Sequence, residues 1–118
     1  VARVVAHVPD LLFGSKVQGM LSAGGHEVAL VGSEPAVREQ IAASDVLVVD
    51  LTADDVAGIA LLEGLKASGD VGQTRTLAFY SHVDADVRAR AIAAGFDLVV
   101  PRSRMAREGS ALVDGLVE

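Results

Sequence analysis

Five short apolar runs punctuate the chain: Val4 to Val8, Val28 to Val31, Val46 to Val49, Leu77 to Tyr80, and Leu98 to Val100. Each is nearly continuous in hydrophobicity rather than alternating, which is the pattern of strands in a parallel sheet covered on both faces. Parallel neighbours need crossover connections, so helices are predicted between the runs. Phe13, Val17, Met20 and Leu21 recur at helical spacing, and Gly24-Gly25 then stops the helix. Pro35 opens a short second helix with Val37 and Ile41 on one face. Asp54 or Asp55 starts a third, with Val56, Ile59, Ala60 and Leu65 predicted to face inward and Gly69 ending it. Asp84 can cap a fourth, in which Val87 and Ala91 face the sheet before Gly95, and a last helix carries Leu112, Val113 and Leu116.

The order is β-α repeated five times, with no linker rich in Pro, Gly or Ser. Right-handed crossovers restrict such a chain to a doubly wound α/β sheet, and for five strands the flavodoxin-like order 2-1-3-4-5 is predicted. An eight-stranded barrel would need about twice the length. Residues 1–118 are read as one domain, long enough to bury roughly two thirds of the surface of the unfolded chain.

Composition narrows the function classes. Trp is absent and the only aromatics are Phe13, Phe79, Tyr80 and Phe96, so the core must be built of Ala, Val and Leu. A net charge of -6 disfavours nucleic acid, whose sequence-independent affinity comes from Lys and Arg. Arg102, Arg104 and Arg107 form a local exception, read either as a solvated helix entrance or as a partner surface. The absence of cysteine removes disulfides, thiolate metal sites and Cys nucleophiles. No apolar run approaches the ~20 residues that span a bilayer, and the N-terminus does not read as a signal peptide. A soluble cytoplasmic protein is expected. The start at Val1 rather than Met is expected of a processed or trimmed chain.

In this topology reactive groups collect beyond the carboxyl ends of the strands. The candidates there are His7-Val8-Pro9-Asp10, Asp50-Leu51-Thr52, Ser81-His82 and Pro101-Arg102. A metal or hydrolytic enzyme could use His7, Asp10, Asp50, Ser81 and His82. However, no His-x-x-Glu-His or Glu-x-x-His spacing occurs, and adjacent Ser81 and His82 point to opposite faces of a strand. No enzyme activity is expected. Flavin phosphate would need a Ser/Thr/Gly-rich nest after the first strand, where the chain instead has Pro9-Asp10-Leu11-Leu12-Phe13, and Asp-x-His-x-x-Gly for cobalamin is absent.

Val46-Leu47-Val48-Val49-Asp50-Leu51 resembles the phosphoacceptor strand of bacterial response-regulator receiver domains. Leu77 to His82 resembles their fourth strand with its switch hydroxyl, and Ala89 to Phe96 resembles the helix end that precedes their fifth strand. The resemblance implies a CheY-like fold, with Asp50 as phosphoacceptor, Ser81 as the switch hydroxyl and Arg102 at the position of the conserved lysine. It also implies two-component signalling, with a kinase or output protein as partner, and a homodimer surface on the fourth helix, fifth strand and fifth helix.

Two departures from the family pattern shape the functional expectation. Counting back from Gly25, the family's paired acids after the first strand fall on Val8 and Pro9, and only the next residue, Asp10, is acidic. Arg102 replaces lysine and follows Pro101, whereas the family places proline after the lysine. The family's acids hold Mg2+, which takes oxygen ligands in near-octahedral geometry. Here Mg2+ would rest on Asp10 and Asp50 with backbone and water oxygens. Asp50 reads equally as a phosphoacceptor and as a strand-end carboxylate that caps the third helix or pairs with Arg102. The expectation is a stand-alone atypical receiver, or pseudo-receiver, with a degraded phosphorylation site. The alternative is a response regulator that accepts phosphate on Asp50 with Mg2+.

Overall fold

The computed structural model describes residues 1–81 and 83–118. The elements alternate without exception: β1 (Arg3–His7), α1 (Leu11–Ala23), β2 (Glu27–Val31), α2 (Glu34–Ile41), β3 (Val46–Asp50), α3 (Asp55–Ser68), β4 (Arg75–Tyr80), α4 (Ala85–Ala94), β5 (Leu98–Pro101) and α5 (Arg102–Val117). All neighbouring strands are parallel, in the order β2-β1-β3-β4-β5. This is the predicted flavodoxin-like sheet, with strand boundaries displaced by a residue or two. β1 ends at His7 rather than Val8, and β3 runs on to include Asp50.

The pleat divides the core into two layers. Val4, Ala6, Val46, Val48, Leu77 and Phe79 pack against Phe13, Val17 and Leu21 of α1 and Met105 and Val113 of α5. Val5, Leu47, Val49, Ala78 and Tyr80 pack against α2, α3 and α4. β3 is buried along its whole length, as the central strand of such a sheet must be. Phe13 and Phe79 meet edge to face, their ring centroids 5.2 Å apart.

Helix ends follow their local chemistry. Ser33 caps α2, so the helix begins at Glu34, one residue before Pro35. Asp54 caps α3 by accepting from the Ala57 amide, and Gly69 and Gly95 close α3 and α4 in the left-handed conformation that glycine adopts without strain. Asp84 occupies the N-cap position of α4, but its side chain makes no capping hydrogen bond. Arg90 of α4 binds both Asp86 and Asp55, tying α4 to the start of α3.

The predicted inward face of α3 needs correction. Val56 and Ala60 are exposed, and the helix instead buries Gly58, Ile59, Leu61, Leu62 and Leu65. α3 is apolar nearly all round, so periodicity alone leaves its rotation ambiguous. The close approach at Gly58 settles it, because a Cβ there would collide with Leu51. A second feature went unnoticed in the sequence. His26 is buried, accepts the Ala2 amide on Nδ1 at 3.1 Å and places Nε2 2.9 Å from Asp114 of α5.

Candidate functional site at the carboxyl ends of β1, β3, β4 and β5

Asp50 ends β3 and is only 6% exposed. The pleat turns it toward the α1/α5 side, with Val46 and Val48. Its Oδ1 accepts the Thr52 amide at 2.7 Å and the Thr52 hydroxyl at 2.6 Å. A buried carboxylate requires such donors, and the Asp-x-Thr spacing supplies them from the aspartate's own turn. Thr52 is therefore the positioning residue that sequence reasoning left without a role. Asp50 does not cap α3; Asp54 does.

The last paired position of β1 and β3 is His7 with Val49. One residue on, β1 offers Val8 and β3 offers Asp50. Val8 is 3% exposed and belongs to the α1/α5 core layer, so the flank of Asp50 toward β1 is hydrocarbon. Pro9 follows, exposed and without a side-chain oxygen. Asp10 comes next and is the N-cap of α1. Its Oδ1 accepts the Leu12 and Phe13 amides at 2.9 and 3.1 Å.

Arg102 begins α5 beside this cap. Its guanidinium lies over the Phe13 ring, 4.0 Å from the centroid, and Nη2 is 3.9 Å from Asp10 Oδ2. The expected ion pair between Arg102 and Asp50 is not formed. The Arg102 side chain is drawn toward α1 by the aromatic face, while the Asp50 carboxylate is turned into its own loop by Thr52. At 3.9 Å the contact with Asp10 is an ion pair without a hydrogen bond, and both side chains are over 40% exposed, so it contributes little to stability.

A depression of about 720 Å³ opens between α1, the β3–α3 loop and α5, with Asp10, Phe13, Lys16, Thr52, Ser81 and Arg102 among its walls. The structure thus gathers Ser81, Arg102 and Asp10 at one cleft, with Thr52 rather than Asp50 as the wall on the β3 side. Lys16 and Phe13 are members that the sequence did not single out. The spacing of Phe13 and Lys16 on the first turns of α1 was the available signal.

His7 lies on the other face of the sheet from Asp50, with Val5. Its Nδ1 is buried without a hydrogen-bond partner. Burial lowers the imidazole pKa below its ordinary value of 6.5, partly opposed by the negative charge of Asp50 and by a backbone hydrogen bond at Gly32. His7 and Asp50 therefore do not form a catalytic pair. His82, the other histidine of the rim, lies outside the described residues.

The donors do not fit the octahedral magnesium site expected of Asp10 and Asp50. Asp10 is committed to two backbone amides and faces a guanidinium, and one oxygen of Asp50 is committed to Thr52. Among the described residues, no group of three His, Asp or Glu side chains converges to hold a metal ion. The expected role of Asp10 as a metal ligand gives way to helix capping.

Five parallel strands in the order β2-β1-β3-β4-β5, alternating with five helices, are the flavodoxin-like fold of CheY, the fold that response-regulator receiver domains share. Particular receivers superpose over nearly the whole chain. The Francisella response regulator 1452 receiver domain matches at TM-score 0.83 and 16% identity, over 99% of this chain and 97% of its own. A response regulator receiver domain protein from Clostridium thermocellum matches at 0.84 and 16%, over 99% and 94%. The receiver domain of the TMAO respiratory system response regulator TorR matches at 0.84 and 19%, over 99% and 97%. No family model and no curated protein matches the sequence. At such identities the shared property is the fold, and the function has to be argued from this chain's own residues.

Proposed function

We propose that this chain is a single receiver-like signalling domain that acts by contact with another protein and does not depend on phosphoryl transfer to Asp50. The observation that carries this reading is the flank of Asp50. Val8 and Pro9 stand where carboxylates would be needed to hold a cation. An incoming phosphoryl group brings close to two negative charges to an anionic carboxylate, so its approach depends on a cation beside the acceptor. Arg102 is diverted to Phe13 and Asp10 and does not reach Asp50. In this reading Asp50 is a structural carboxylate, Ser81 a strand-end hydroxyl, and the domain a cytoplasmic, non-enzymatic pseudo-receiver that binds neither nucleic acid nor membrane. No helix among the described residues is long and apolar enough to cross a bilayer.

One observation favours a phosphorylatable receiver as the second reading. Asp50 closes the central strand, and Ser81 and Arg102 stand on the same rim. Incubation with acetyl phosphate and Mg2+, followed by intact-mass measurement, separates the two. The first reading expects no adduct. A stoichiometric adduct that disappears in Asp50→Asn establishes the second.

The fourth helix, fifth strand and fifth helix remain as a proposed homodimer surface with little apolar material to recommend it. Ile92 and Val117 are the large exposed apolar side chains of those elements, both under half exposed.

A further inference from the structure

Three polar side chains are buried among the described residues: Asp50, Thr76 and His26. Asp50 is held by Thr52 and Thr76 pairs with Asp97, both within neighbouring loops and strands. His26 is different. It stands in the turn between α1 and β2, at the amino ends of the strands and so at the opposite pole from Asp50. Its own amide donates to the Leu21 carbonyl at 3.1 Å, which seats it behind the end of α1. From there the ring joins two distant parts of the chain. Nδ1 accepts the Ala2 amide at 3.1 Å, just before β1, and Nε2 lies 2.9 Å from Oδ1 of Asp114 in α5.

The two ring nitrogens are not equivalent. A nitrogen that accepts an N–H carries no proton itself, so the neutral imidazole holds its one proton on Nε2. That N–H is buried and, although Asp114 is close, makes no aligned hydrogen bond among the described residues. The Asp114 side chain is 53% exposed and has room to turn. A buried donor without an aligned acceptor costs free energy, and a charged ring draws a neighbouring carboxylate into line. Protonation works against the other partner. Imidazolium donates from both nitrogens, so Nδ1–H would face the Ala2 N–H, donor against donor. One proton therefore strengthens the hold on α5 and breaks the hold on the start of β1. The effect reaches into the sheet, because the Ala2 carbonyl accepts the Glu27 amide at 2.9 Å, a rung that joins β1 to β2.

The charged groups around the ring are few. α5 brings Asp114, with Glu118 one turn on; the β1 side brings the Val1 amino group and Arg3; β2 brings Glu27, which pairs with Arg3 at 3.1 Å. Asp45, before β3, accepts the Arg3 amide at 2.9 Å. The end of α1 and its turn, residues 17–25, carry no charge. Among the described residues Asp114 alone makes an ion pair with the ring. We propose that His26 is a proton-operated latch at this pole: neutral, it holds the start of β1 through Ala2; protonated, it releases Ala2 and is held to α5 by Asp114.

The test follows ring protonation and amide protection together by NMR of the isotope-labelled chain. The ring nitrogen signals of His26 report its tautomer and charge. Hydrogen exchange of the Ala2 and Glu27 amides, corrected for the intrinsic rate at each pH, reports the latch. The parent chain is expected to show the Nε2–H tautomer at neutral pH. On acidification both amides should lose at least about tenfold in protection as the ring charges, with the amides of β3 unchanged. His26→Asn, which offers Ala2 an acceptor and takes up no proton, should keep its protection over the same range. Asp114→Asn should need a lower pH to charge the ring, because the carboxylate favours the imidazolium. The local readouts separate His26 from His7, which ends β1 at the opposite pole. Protection kept with the ring fully charged, an Nδ1–H tautomer at neutral pH, unfolding before the ring charges, or an Asp114→Asn ring that charges at the parent's pH would each overturn the proposal. An equal loss of protection in His26→Asn would do the same, and if that variant does not fold, the ring and amide signals of the parent chain and Asp114→Asn decide.

Discussion

The neighbouring ends of β3 and β1 handle polarity in opposite ways. At the end of β3 a carboxylate, Asp50, is all but sealed from water and held by Thr52. At the end of β1 the buried residue is Val8, and two leucines stand in solvent a few residues on. Both arrangements are the reverse of what composition leads one to expect, since aspartate is seldom fully buried without partners and paired exposed leucines are uncommon on a solitary surface. The difference teaches that the rim carries an acid at the end of β3 with no acid beside it at the end of β1, where Val8 is buried and Pro9 exposed.

The comparison can be broken first at the β3 side, where the largest effect is expected. Leu47→Ala removes a fully buried side chain from the central strand and should cost about 2–5 kcal/mol in urea unfolding. Asp50→Ala leaves the two Thr52 donors without their acceptor and should cost about 1–3 kcal/mol. A negligible cost would mean that Asp50 is not a structural carboxylate. Thr52→Val sharpens the same point by removing only the hydroxyl bond, at about 1 kcal/mol.

His7 gives the comparison a pH axis. Its neutral form is favoured in the folded chain, so on acidification the unfolded chain takes up the proton first. The resulting stability is present above pH 6.5 and is lost as the pH falls from there toward the depressed folded value. Urea midpoints between neutral and mildly acidic pH should therefore fall less in His7→Gln than in the parent chain. At the β1 side the expected effect on folding is the smallest. Leu11→Ser/Leu12→Ser should change stability by no more than about 0.5 kcal/mol, because neither side chain is buried.

The sheet order, the five helices and the glycines that close α3 and α4 were legible because they are repeated local signals, whereas of the N-caps only Asp54 was read correctly: Asp84 makes no capping bond, and Asp10 and Ser33 were not read as caps. The rotation of α3 was not, since Val56 and Ala60 are as apolar as the residues it buries and only the contact of Gly58 with Leu51 decides between them. At the site, the positions of Asp50, Ser81 and Arg102 on one rim followed from strand ends. Their partners did not, because a side chain's direction depends on its neighbours. Arg102 turns to Phe13, which lies in a different helix, and Asp50 turns to Thr52, two residues away. The Asp-x-Thr spacing was the available signal for that pairing, and the sequence reading gave Thr52 no role. The approach of buried His26 to exposed Asp114 spans most of the chain and left no local signal.

The central claim is that Asp50, held by Thr52, does not serve as a phosphoacceptor because its β1 flank lacks the acids that would hold a cation. It is tested most directly by the rate of phosphoryl transfer from acetyl phosphate with Mg2+, read by intact mass on the parent chain, Asp50→Asn and Pro9→Asp. Pro9 is exposed, so this acid enters the flank without disturbing the core. The account predicts no adduct on the parent chain or on Asp50→Asn, and a measurable adduct on Pro9→Asp. Rapid, stoichiometric labelling of the parent chain that is abolished in Asp50→Asn would contradict it.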